Sequence, residues 1–146
     1  MGHSVIRHSN FMPTRMLFAT LLLISCSEVV RAGGQVSSPD GRVEAVFEAR
    51  GGGGAAGWLY QYVSVGEPGD PHDVLVFKGA PSVCLEWSGA SSLEVRFGPS
   101  AELRERRSPP EFLLPLEVVE RRMATPEEVV ESCAGRVVSV GAARSL

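Results

Sequence analysis

The chain has 146 residues, 14 of them Lys or Arg and 17 Asp or Glu, for a formal charge of −3. That length suits one domain with a modest single core and not two. The acidic balance gives no support to nucleic-acid binding, which needs a basic face.

The first fifteen residues carry Arg7 and Arg15 and no acidic residue, and Met16 to Ile24 follow without a charge. This is the order of a secretory leader, a positive segment and then an apolar one. Nine residues in a helix reach about 14 Å, roughly half the hydrocarbon thickness, so the segment is too short for a permanent membrane span. Leu23-Ile24-Ser25-Cys26 resembles the lipobox of bacterial lipoproteins. That resemblance implies a signal peptide over 1–25 and lipidation (acylation, palmitate-like) of Cys26 as the first residue of the mature chain. Ser27 beside it resembles the pattern for onward export, which would put the protein on an outer membrane facing the periplasm in a two-membrane cell. A second cut at Val30-Arg31-Ala32 would instead release a secreted protein, and a false start would leave a cytosolic one. Without the two leader arginines, twelve basic residues face seventeen acidic ones, a formal charge of −5.

Residues 26–36 read as a tether, and Ser37-Ser38-Pro39-Asp40-Gly41 as a tight turn. From Arg42 the chain alternates, with Val43, Ala45, Phe47 and Ala49 on one face and Arg42, Glu44, Glu48 and Arg50 on the other. This is the period of a half-buried strand. Further strand-like runs cover Trp58 to Val65, Val74 to Phe77, Val83 to Trp87 and Leu93 to Phe97, the last two joined by a hairpin loop at Ser88 to Ser92. Beyond them, Ala101 to Arg107 reads as a short helical turn with Glu102 and Arg106 four apart. Thr125-Pro126-Glu127-Glu128 opens a helix that runs to about Ala134, whereas 111–122 suit either a strand or a helix.

The expected fold is therefore mainly β (β-rich α+β). It comprises a single antiparallel meander of about five strands over 37–98 and a C-terminal helical or irregular extension over 99–146 packing on the sheet. Cys84 and Cys133 remain after Cys26 is set aside. In an exported protein they form either a disulfide or two separately buried thiols, and spacing alone does not decide between these.

Two likenesses attach to these residues. Ser38-Pro39-Asp40-Gly41-Arg42 before an alternating strand resembles the blade turn of envelope β-propellers of the TolB type, but a chain this short cannot hold the blades a closed propeller needs. Together with the glycine-rich 51–57 and with Trp87 followed by Leu93-Glu94-Val95, it resembles small uncharacterised bacterial envelope lipoproteins with an SPDGR turn and a Trp-turn-Leu-x-Val hairpin. That second likeness spans 36–97. It implies a fold and an exported address, and it brings no catalytic residues.

Gly52 to Gly57 satisfies GxGxxG, yet the strand-like run after it lacks the helix that the dinucleotide fingerprint needs. Asp70-Pro71-His72-Asp73 places one histidine between carboxylates, a candidate acid–base or metal site for a secreted hydrolase or metal-dependent enzyme. A surface turn accounts for the same residues. Trp58, Tyr60 and Tyr62 lie on one strand face, either as a cover for the core or as an exposed platform for a protein or glycan partner. The expected function is a non-enzymatic envelope lipoprotein, bound to the membrane through its N-terminal lipid, needing no cofactor and no metal, and presenting a β-sheet interaction surface.

Overall fold

The computed structural model describes residues 29–52, 58–80, 82–113 and 115–139; residues 1–28, with Cys26 and the leader, lie outside them. The strands are β1 (Val29–Ser37), β2 (Glu44–Gly52), β3 (Trp58–Glu67), β4 (Asp70–Lys78), β5 (Ser82–Trp87), β6 (Ser92–Phe97), β7 (Glu102–Arg106), β8 (Glu117–Arg122) and β9 (Arg136–Ser139). One helix, α1 (Pro126–Glu131), and a 3-10 turn at Glu111–Leu113 complete the described elements.

The mainly β class holds, and all five strand-like runs between Arg42 and Phe97 are strands. A single meander does not form. The strands divide into a five-stranded sheet, ordered β1-β2-β3-β4-β7, and a four-stranded sheet, ordered β8-β6-β5-β9. Strand β2 of the first and strand β6 of the second bury the same alternating pattern, which records the buried face of each strand and not the sheet it joins. Gly79, at φ +76°, turns the chain out of the first sheet after β4, and β5 begins the second. The two inner faces close on one core, in which the rings of Phe77 (β4) and Phe97 (β6) lie 4.9 Å apart. Sheets packed face to face in this way make a β-sandwich.

Local chemistry explains the turn before β2. Ser38 Oγ donates to Asp40 Oδ1 at 2.7 Å and accepts from the Val43 amide at 3.0 Å, while the Gly41 amide donates to the Ser38 carbonyl. Gly41 adopts φ +72°, a conformation that glycine takes without steric cost.

Three further expectations are corrected. The stretch read as a tether over 26–36 is largely strand β1, paired with β2 from Val29↔Gly51 to Ser37↔Glu44. It escaped the alternation test because Gly33, Gly34 and a register shift between Ala32 and Gly34 break its period. Trp87 Nε1 and Arg136 Nη1 also hold it, donating to the carbonyls of Val36 and Gln35. The helical turn expected at 101–107 is strand β7, because Leu103 packs against the core and the edge of β4 offers a ladder partner. The C-terminal extension is not a layer on one sheet: β7 joins the first, while β8 and β9 flank the second, with β8 parallel to β6.

Helix α1 starts as its sequence requires. Thr125 caps it by accepting from the Glu128 amide, and the Glu128 carboxylate accepts from the Ala124 amide in return. It ends at Glu131, earlier than expected, where Ser132 caps it and Cys133 bonds to Cys84 on β5, with Cα atoms 5.7 Å apart. Of the two states left open for these cysteines, the structure has the disulfide.

Candidate functional site

The outer face of the five-stranded sheet carries a polar cluster that spans three strands. Because Ala45, Phe47, Val63 and Val65 point inward, Glu48, Arg50, Tyr60, Tyr62 and Ser64 must point outward. A register shift beside Ser64 places Asp73 directly opposite it and leaves both Val74 and Leu75 buried.

Asp73 is the hub. It accepts from Arg50 Nη1 and Nη2 at 2.7 and 2.8 Å and from Ser64 Oγ at 2.7 Å, with Arg107 at 3.6 Å. Arg50 also donates to Glu48, and its guanidinium lies 4.2 Å from the centre of the Tyr62 ring, a cation–π distance. Arg107 forks onto Glu105 at 2.7 and 2.8 Å.

Burial is the largest influence on Asp73 and pushes its pKa up. The hydrogen bonds from Arg50 and Ser64, with the charges of Arg50 and Arg107, outweigh it and hold the carboxyl below its ordinary value. The hydrogen bond to Asp73 is the main reason that the Arg50 pKa is raised further.

Two openings adjoin this cluster. A cleft of about 600 Å³ is lined by residues that include Arg50, His72, Asp73 and Arg107. A smaller hollow of about 300 Å³ is lined by Tyr60, Tyr62, Val76, Arg104 and Glu105. Both η nitrogens and Nε of Arg50 already meet carboxylates, so an incoming anion would have to displace Glu48 or Asp73. The cluster is therefore a plate of mutually paired charges, two arginines among three carboxylates. The hollow beside it mixes aromatic faces with charged groups, the chemistry of polypeptide or sugar contacts.

The Asp70-His72-Asp73 constellation is divided by its strand. His72 pairs with Val65, whose side chain is in the core, whereas Asp73 pairs with Ser64 on the outer face. The two side chains thus leave β4 on opposite sides of the strand, and both reach the lining of the cleft of about 600 Å³. His72 Nε2 lies 3.4 Å from Asp70, and its ring meets Phe112 edge-on at 5.7 Å. Asp73 bonds to Arg50 and Ser64, while His72 meets Asp70 and Phe112. Among the described residues no group of three or more His, Cys, Asp or Glu could hold a metal ion.

Tyr60 and Tyr62 share one strand face as expected; of the two alternatives left open for it, it is the outer face, and both are partly exposed. The side chain of Trp58 is outside the described residues, as are 53–57 of the glycine-rich run. That run separates two antiparallel strands, and the segment after it is strand β3. Sequence reasoning missed Arg50, Ser64 and Arg107 as partners. Arg50 carried a signal, as the polar residue of an alternating strand, but its partner lies two strands away across a bulge. Among the described residues no helix is long and apolar enough to cross a membrane. Comparison with protein-family models, with curated proteins and with solved structures finds no match for the chain.

Proposed function

We propose that this protein is a non-enzymatic lipoprotein of the cell envelope. It is lipidated at Cys26 and uses the outer face of its five-stranded sheet, around Tyr60 and Tyr62, as an interaction surface for a protein or glycan partner. The observation that carries this reading is the Cys84–Cys133 disulfide. Such bonds persist in oxidising compartments, which agrees with a leader of export type and a lipobox cysteine that stands outside the pair. The engagement of Asp73 by Arg50 and Ser64 weighs against a hydrolase or metal-dependent enzyme built on it and His72.

The placement of α1 supports the choice of face. It packs on β5 and β6 of the four-stranded sheet, and no described helix covers the five-stranded one. Intact-mass analysis of protein extracted from membranes tests the reading. The expected mass is that of a chain beginning at Cys26 with two or three acyl chains and one disulfide. Recovery of the protein with Met1 in place, unacylated and with reduced cysteines, refutes it.

A further inference from the structure

Resting on the lipid anchor proposed at Cys26, we infer that one end of the sandwich is seated directly on the bilayer: the end where β1 begins, with Leu59 and Lys78. The opposite end, at the Ser38–Arg42 turn, is held outward.

The argument begins with the length of chain between lipid and fold. Only Ser27 and Glu28 separate Cys26 from Val29, the first residue of β1. Three residue steps span at most about 11 Å even when extended, little more than the roughly 5–8 Å depth of one headgroup layer. An eleven-residue tether would have let the body float free. The pairing of Val29 with Gly51 removes that freedom.

The register then says which residues share that end. Gly51 pairs with Leu59, and Gln61 pairs with Phe77, which brings Lys78 alongside. Leu59 is 42% exposed, a large aliphatic side chain at the edge nearest the anchor. From Val29 to Ser37 the strand extends about 26 Å at the usual rise, so the other end stands well clear of the surface.

Charge favours the same orientation. The far end exposes Asp40, Glu67, Asp70, Glu111 and Glu117 against Arg42, an acidic balance that an anionic membrane surface repels. Near the anchor, Lys78, Arg121 and Arg122 offset Glu102, Glu127 and Glu128. The bilayer is thus the occupant that both the tether length and the charge distribution fit.

The chain itself provides the probe. Lys78 is its single lysine and is exposed, so an amine-reactive fluorophore labels that end. A Lys78→Arg variant gives the background from the amino terminus, and Arg42→Lys in that background moves the label to the far end. The proteins, acylated as isolated or carrying a maleimide phospholipid on Cys26, are placed in phosphatidylethanolamine–phosphatidylglycerol vesicles with quencher lipids. Since the ends differ in height by about 26 Å, quenching at Lys78 is expected to exceed that at residue 42 by about threefold or more. Equal quenching, or more at residue 42, overturns the seating. If the mass of the cellular protein shows no acyl chain, the lipoprotein reading fails instead, while the maleimide-linked form still decides the orientation.

Discussion

Asp73 and Arg50 meet as two forks, each carboxylate oxygen accepting from one η nitrogen at 2.7 and 2.8 Å, across the intervening strand β3. Ser64, on that middle strand, donates to the same carboxylate, so one aspartate ties three strands together. Removing its charge should cost about 1.5–3 kcal/mol, the range for hydrogen bonds to charged groups. The folded pKa is depressed, so this stability is complete above the unfolded value of 3.8 and is lost as pH falls through the folded value. Urea midpoints of wild type and Asp73→Asn should therefore differ clearly at neutral pH and converge in strong acid. A gap of constant size would show that the carboxylate charge is not what stabilises this face.

The Cys84–Cys133 bond joins residues 49 apart in sequence, a closure worth about 4 kcal/mol in the chain-entropy description. It also fixes α1 to the second sheet, to which that one-and-a-half-turn helix adds a single buried side chain, Val129. Thermal unfolding of wild type should shift to markedly lower temperature under reductant. The Cys84→Ala/Cys133→Ala protein should unfold at the lower temperature with or without it. Insensitivity of the wild type to reductant would contradict a stabilising bond.

These effects bear on how much of the molecule its sequence made legible. Alternation located β2 and β6, short apolar runs bounded by turn residues located β3 to β5, and the cap at Thr125 located α1. Sheet membership was not legible, because Phe77 and Phe97 have the same local pattern whether they share a sheet or face each other across a core. Strands β1 and β7 were hidden for different reasons. Glycines interrupt the first, and the second is an edge strand with charged side chains on either side of Leu103, which reads equally well as a helical turn. For the site, Tyr60 and Tyr62 followed from period two. The Arg50–Asp73 pair did not, because it depends on a bulge between β3 and β4. The same bulge decides that Asp73 falls opposite Ser64 on the outer face, with Val74 as the extra residue.

Two glycines separate crowding from backbone conformation. A Cβ on Gly135 would come within 2.3 Å of the Leu85 carbonyl oxygen and 2.7 Å of the Glu86 Cα, both backbone atoms that cannot step aside. Gly135→Ala should push the link between α1 and β9 off strand β5 and cost about 1–3 kcal/mol, as overpacking does. Gly41 has open space around the same position and a φ of +72°, so Gly41→Ala should cost only the left-handed penalty of about 1 kcal/mol. Chemical denaturation of the two variants gives the order, and a reversed order would mean that β9 does not pack where it is described.

The sandwich makes its sharpest demand on aromatic residues of similar chemistry. Phe77 is fully buried and its ring touches that of Phe97 from the opposite sheet, so Phe77→Ala opens a cavity between the sheets and should cost about 3–5 kcal/mol. Phe112 is 61% exposed and meets the edge of His72 outside the core. Phe112→Ala should stay within about 0.5 kcal/mol of wild type, as exposed substitutions usually do. In a single five-stranded layer Phe77 and Phe97 would have no facing sheet to fill, and truncating either would remove much less stability. Equal, small losses at Phe77 and Phe112 in urea unfolding would therefore contradict the two-sheet core itself, and with it the outer face on which Arg50, Tyr62 and Asp73 are assembled.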